Sequence, residues 1–285
     1  MPAEVNFSRA GQTGQPSPSI WADCPKTLLN DLGLGFYADV QFQGVPTGTL
    51  AAALDVNMVS FGNGALKIDA DTDTVLTQVA DTRGGALRIE TDGDDNDAAA
   101  LYSQPFGRVV KNSGQKLWFE AIIAQPDISE DYGVFIGLAE ADAVDGTTTT
   151  ARDVVADDAA ANDVVDESVL GFIRDNGDAD AYDLIVKKDD GTAANPATDV
   201  TNSTALDSDD RASLTDDAEH KLGIRFDGRD KLQYYVDGVK VAEDTVDSTV
   251  DQSHDLCVVV GIKTGGDAAE QLDVRRVRFA FQERS

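Results

Sequence analysis

Cysteine, histidine, cations, aromatics and long apolar runs are all scarce in this chain, and each scarcity closes off a class of protein. The 285 residues include two cysteines, Cys24 and Cys257. They lie too far apart for a metal-ligand spacing and are too few for a disulfide framework, and Cys257 sits in the apolar run Leu256 to Ile262, so a buried reduced thiol is expected there. Lys and Arg number 23 against 52 Asp and Glu, a formal net charge of −29. Such a surface repels phosphate backbones and anionic lipid, which excludes nucleic acid and membrane as partners of the surface as a whole. The same composition suits a protein kept soluble in salty water. The two histidines, His220 and His254, have no Cys or Ser placed as a nucleophile for them to activate. No glycine-rich phosphate loop runs from a strand into a helix. No apolar run approaches a membrane span or a signal peptide, so synthesis and folding in a cytoplasm are expected. No cofactor is implied.

What is present is period two. Between Glu219 and Glu243, Leu222, Ile224 and Phe226 alternate with Lys221, Gly223 and Arg225, and Leu232, Tyr234 and Val236 alternate with Lys231, Gln233 and Tyr235. Alternation of this kind defines strands with one buried face. Asp237-Gly238 between Val236 and Val239 fits a two-residue type I′ turn, which needs positive φ at both positions. The stretch therefore predicts a three-stranded meander, with Val239 and Val241 continuing the buried row.

The remaining strands are expected at Gly35–Phe42, Met58–Phe61, Ala65–Ile68, Val75–Val79, Ala86–Glu90, Ala99–Ser103, Ser168–Arg174, Tyr182–Lys187, Leu256–Lys263 and Gln271–Phe281, punctuated by Gly and Asp turn residues. Lys116–Ala124 and Tyr132–Ala139 are apolar on both faces, so both should be central strands with a cover on each side. In the last strand Leu272 and Val274 are even while Val277, Phe279 and Phe281 are odd, so one extra residue near Arg275-Arg276 is needed to keep both sets inside. This is an all-β, antiparallel two-sheet sandwich, one domain over 31–285, with an acidic insertion at about 140–168. In the insertion Thr150 is expected to cap a short helix reaching Ala161, and the segment from Asp142 to Glu167 to run over the surface, pinned by its few valines. Residues 1–30 carry no apolar periodicity and two prolines in Gln15-Pro16-Ser17-Pro18, the pattern of an extended N-terminal arm. Ile20, Trp21 and Leu28 are its candidate anchors, set to fill pockets on a neighbouring subunit, with Trp21 and its neighbours also rooting the arm on its own domain.

The segments WFEAIIA, GVFIGLAEAD, SVLGFIRDNGD and YYVDGVKV together resemble the concanavalin A-like lectin/glucanase jelly roll, which is similar to laminin G modules, over roughly residues 35–283. With the opening SIWADCPKTLLNDLGLGFYADVQF, they look like a group of bacteriophage virion proteins carrying this fold. The resemblance implies a non-enzymatic structural protein of a phage particle, a capsid decoration or cement protein on the outer capsid surface of the virion. Its partners would be the major capsid protein and further copies of itself in a dimer or trimer. The alternatives are a carbohydrate-binding module of a head or tail fibre and, third, a glycoside hydrolase.

Hydrolases of this fold place E-x-D-x-x-E on one strand, with carboxylates flanking the scissile bond about 5 Å apart. The nearest match runs from Glu140 through Asp142 to Asp145, which stands where the second glutamate belongs and is a methylene shorter. No catalytic residue is assigned. For calcium, which takes six to eight oxygens, the clusters are Asp92, Asp94, Asp95 and Asp97, and Asp175, Asn176, Asp178 and Asp180. Neither follows the calcium-loop spacing, and turns favour the same residues, so both are assigned to turns and no metal is expected. For stacking on a sugar ring the least surely buried aromatics are Tyr132 and Tyr235, for which a packing role is expected.

Overall fold

Alternating apolar residues need a second apolar surface to face, and in this chain two sheets supply it to each other. A computed structural model describes residues 16–25, 34–43, 48–49, 60–62, 64–79, 85–94, 96–127, 132–145, 151–154, 168–174, 182–188, 217–246, 252–266 and 268–283. Its strands are β1 (Gly35–Gln41), β2 (Gly48–Thr49), β3 (Ser60–Phe61), β4 (Leu66–Ala70), β5 (Val75–Gln78), β6 (Leu87–Glu90), β7 (Ala98–Ser103), β8 (Lys116–Ala124), β9 (Tyr132–Glu140), β10 (Val169–Arg174), β11 (Asp183–Lys187), β12 (Glu219–Phe226), β13 (Lys231–Val236), β14 (Val239–Thr245), β15 (Leu256–Thr264) and β16 (Gln271–Gln282). Two short helices accompany them, α1 (Pro18–Trp21) and α2 (Ala141–Asp145), with a 3₁₀ turn at Ala151–Val154.

Among the described residues the strands form an antiparallel nine-stranded sheet, β14-β13-β12-β8-β16-β6-β5-β2 with β1 also on β16, and an antiparallel seven-stranded sheet, β11-β10-β9-β15-β7-β4-β3. They pack face to face as a jelly-roll sandwich. The core between them takes Leu117, Phe119, Ala121 and Ile123 from β8, Val134, Ile136 and Leu138 from β9, Leu222, Ile224 and Phe226 from β12, and Val258, Val260 and Ile262 from β15.

The two strands expected to be apolar on both faces are central and buried along nearly their whole length. Each has its own outer cover. Phe135 and Ala139 of β9 lie with Cys257 and Val259 of β15 under Ala143, Val144, Ala151 and Val154. The described part of the acidic insertion is thus a small apolar layer on the seven-stranded sheet. Its valines pin it as expected, but the helix expected from Thr150 to Ala161 is, where described, a 3₁₀ turn ending at Val154, and residues 155–161 lie outside the described residues. On the nine-stranded sheet Trp118 of β8 lies with Tyr235 and Ala280 under Ile20 and Trp21 of α1.

The bulge in β16 is present. Val274 pairs with Ile123 and Arg276 with Ile122, so Arg275 is the extra residue, and Leu272, Val274, Val277, Phe279 and Phe281 all enter the core. A second bulge was not legible in sequence. Asp237 and Gly238 have φ of 50° and 80°, as a type I′ turn requires, yet Tyr234 faces Ala242 and Tyr235 faces Lys240, leaving Val241 unpaired. The expected row of Val239 and Val241 is therefore corrected. Val239 lies on the edge strand and is 38 % exposed, while Val241 and Ala242 pack partly against the core.

Candidate functional site

The most developed constellation lies on the outer face of the nine-stranded sheet, where the N-terminal segment docks. Side chains of β8, β12 and β16 that point away from the core are spaced by two, and here they are Trp118 and Glu120, Gly223 and Arg225, and Arg276, Arg278 and Ala280. Glu120 and Arg278 are both buried, with Arg278 Nη1 donating to Glu120 Oε2 at 2.9 Å. The same carboxylate accepts the Ser17 backbone N–H at 3.1 Å and the Trp21 indole N–H at 3.1 Å. A buried carboxylate needs partners on both oxygens, and the chain supplies them from residues about a hundred positions away.

One turn further on, Asp23 accepts hydrogen bonds from Lys116 Nζ at 3.0 Å, Trp118 Nε1 at 3.1 Å and Arg225 Nη2 at 2.7 Å. Burial opposes ionisation of Asp23, but the hydrogen bonds of Lys116 and Trp118 and the charge of Arg225 outweigh it and hold its carboxyl below the ordinary value. Ile20 rests on Gly223, and Trp21 meets Tyr37 edge to face at 6.0 Å. Asp39 on β1 extends the network to Arg276 and Arg278, and burial, then the charge of Asp39, pushes the Tyr37 phenol up to about 12.

These contacts bear out the root expected at Trp21 and its neighbours and correct the rest of the reading of the arm. Docked as they are, Ile20 and Trp21 are buried against their own domain, and α1 is a helical turn with Pro at its start where an extended chain was expected. The root begins at Ser17, so a truncation after residue 19 would remove domain contacts. Leu28 lies outside the described residues.

Of the carboxylates considered for hydrolysis, the two described, Glu140 and Asp142, part at the end of β9. Glu140 ends β9 and is buried with His254 Nδ1 3.1 Å from its Oε2, whereas the backbone turns into α2 at Ala141 and carries Asp142 to the surface. Residues i and i+2 share a face only while the strand continues. The side chain of Asp145 lies outside the described residues, as do Asp95 and the cluster from Asp175 to Asp180. Tyr132 and Tyr235 are both buried, which removes them as sugar platforms. Tyr132 instead belongs to an internal network, with Gln125 donating to its hydroxyl at 3.0 Å, Tyr182 donating to Gln125 at 2.9 Å, and the Arg174 guanidinium 4.2 Å from its ring centre. His220 stands 3.2 Å from Asp237 at the hairpin turn. Both cysteines are free thiols.

The structure does bring Asp92, Asp94 and Asp97 together, with carboxylate oxygens within 4.8 Å of one another. With one oxygen from each, these three exposed or half-exposed carboxylates supply three of the six to eight ligands that calcium takes. Asp92 accepts the Asp94 backbone N–H at 2.8 Å, the local bond of a turn. Burial, then the charges of Asp71, Asp92 and Asp94, push Asp97 up to about 6 from an ordinary 3.8. A carboxyl whose folded pKa is raised is penalised when ionised, so its cost is full above pH 6 and fades as pH falls toward 4. Asp97→Asn should therefore raise the melting temperature at pH 7.5 by more than at pH 5, and by nothing near pH 3.5. Melts of both proteins across this range check the sign, and a gain that grows on acidification contradicts the assignment.

The chain is an antiparallel two-sheet jelly-roll sandwich. A protein of unknown function from Shewanella oneidensis MR-1 superimposes with a TM-score of 0.52 at 11 % identity, covering 95 % of this chain and 96 % of that one. An endo-1,3-beta-glucanase from Streptomyces sioyaensis is similar at a TM-score of 0.48 and 11 % identity, over 86 % of this chain and 96 % of that one. The Emp47p carbohydrate recognition domain is similar at a TM-score of 0.46 and 16 % identity, over 82 % and 93 % of the two chains. At such identities the likeness is one of fold. No protein-family profile matches the sequence, and no curated protein matches it. Among the described residues no helix is long and apolar enough to cross a membrane.

Proposed function

We propose that this chain is a non-enzymatic structural protein of a bacteriophage particle, a capsid decoration or cement protein seated over contacts between major capsid subunits. The observation that carries the reading is the Ser17–Asp23 segment, which is riveted to the outer sheet face through Glu120 and Asp23 and so anchors the N-terminal part of the chain at a fixed point of the domain. A tether held in this way adds interface on a neighbouring subunit without loosening its own domain. Support also comes from the resemblance of the opening SIWADCPKTLLNDLGLGFYADVQF and the strand motifs to phage virion proteins. The net charge of −29 would keep decorated particles mutually repelling.

The test compares the full chain with one lacking residues 1–15 by co-sedimentation with assembled shells. Thermal unfolding should be unchanged within about 1 °C, because none of the described contacts is removed, while apparent affinity for shells falls roughly tenfold, about 1.4 kcal/mol. Equal occupancy by both proteins refutes the tether, and failure of the full chain to sediment refutes the capsid reading itself. No glycan cleavage is expected, so Glu140→Gln should leave β-glucan incubations unchanged.

A second reading, a carbohydrate-binding module of a head or tail fibre, draws on one surface feature. A groove of about 640 Å³ opens beside Phe36, which is 41 % exposed, with Phe106, Arg108, Gln115 and Asp255 on its walls. An aromatic face beside polar groups is a fair shape for a sugar ring. Glycan-array binding that disappears in Phe36→Ala would favour it.

A further inference from the structure

The outer face of the nine-stranded sheet is shaped as a receptor for a peptide, and the peptide is part of the same chain. Ser17, Ile20, Trp21 and Asp23 enter three seats, Ser17 and Trp21 sharing one. These are the Glu120 carboxylate for the Ser17 and indole N–H groups, the bare backbone of Gly223 for Ile20, and the trio Lys116, Trp118 and Arg225 for Asp23. A Cβ added at Gly223 would come within 2.3 Å of Ile20 Cδ1 and 3.1 Å of the Phe119 carbonyl oxygen, so a strand position that sequence reading treats as merely polar-facing is cut away where the ligand residue sits. All of these partners lie far from the segment in sequence, and none of the contacts depends on which copy of the chain the segment belongs to.

We propose that this receptor also accepts the Ser17–Asp23 segment of a second copy of the chain, so that copies held close together exchange these segments and become linked. Residues 24–34 separate the segment from β1, a length that reaches on the order of 35–40 Å when extended. That is enough to leave one domain and meet an adjoining one. An exchanged segment makes the same hydrogen bonds and buries the same Ile20 and Trp21 as a retained one, so the two arrangements differ mainly in chain entropy. The local concentration of a segment on its own short linker is on the order of millimolar. Exchange therefore belongs to conditions in which neighbouring copies reach a similar density, such as a crowded assembly surface. The inference stands apart from the capsid reading and holds or fails for the purified chain.

The experiment mixes two full-length variants. Trp21→Ala weakens the segment and leaves the receptor open, and Gly223→Val fills the Ile20 seat and leaves the segment intact. Each alone should run as a monomer of 30.2 kDa by size exclusion with light scattering. An equimolar mixture at about 100 µM should contain a species of twice that mass, since the displaced segment of the second variant enters the empty receptor of the first. Ile20→Ala replaces Trp21→Ala if circular dichroism shows the latter unfolded. A mixture of folded variants that stays entirely monomeric overturns the proposal, and so does a dimer formed by either variant alone, which would place the contact elsewhere.

Discussion

Glu120→Ala should destabilise the fold by about 3–5 kcal/mol, the cost of leaving a buried guanidinium without its counter-charge. Arg278 is fully buried on the outer face of β16, and Glu120 is its buried carboxylate partner at 2.9 Å, although Asp39 approaches its Nε at 3.4 Å. The substitution also strands the N–H of Ser17 and the indole N–H of Trp21, so the N-terminal segment should lift from the sheet as well. Urea unfolding gives the energy, and faster proteolysis near residues 16–25 reports the lifted segment. A double variant, Glu120→Leu with Arg278→Met, should recover much of the loss, because two apolar side chains replace a pair whose desolvation was costly. A loss under 1 kcal/mol for Glu120→Ala would mean that Asp39 and water already serve Arg278.

Trp21→Ala should cost about 3 kcal/mol, since it removes a buried aromatic from the layer it forms with Trp118, Tyr235 and Ala280. For a domain of this size that is roughly a 6–12 °C fall in melting temperature. Trp21→Phe retains most of the apolar area but not the hydrogen bond to Glu120, and should cost about 1 kcal/mol. The chain has two tryptophans, so Trp21→Phe leaves Trp118 as the single reporter of the seat beneath the segment. If Trp21→Ala melts with the unaltered protein, the segment is not part of the cooperative unit.

Much of the sandwich was legible because its signals are local. The strand at Leu222, Ile224 and Phe226, the turn at Asp237-Gly238 and the bulge at Arg275 each follow from which residues must face inward over a few positions. The bulge at Val241 was hidden because Val239, Val241 and Ala242 are all tolerable on either face of an edge strand, so no phase conflict betrays it. The two-residue strand at Gly48–Thr49 is too short to carry a period. Burial of Tyr132 depends on Gln125, Tyr182 and Arg174, and that of Tyr235 on a segment more than two hundred positions away.

The amino-acid order determined by itself that the chain is a two-sheet sandwich, that β8 and β9 need covers on both faces, and that β16 carries an extra residue, because side-chain alternation and turn chemistry act between near neighbours in sequence. Only the tertiary structure decided what the covers are. The described part of an acidic insertion closes one sheet, and a segment without periodicity closes the other through Glu120, Asp23 and the open backbone at Gly223. The contacts of this segment join residues about a hundred or more positions apart through two carboxylates and one missing side chain, and no local pattern records which distant carboxylate an arginine or an indole will meet.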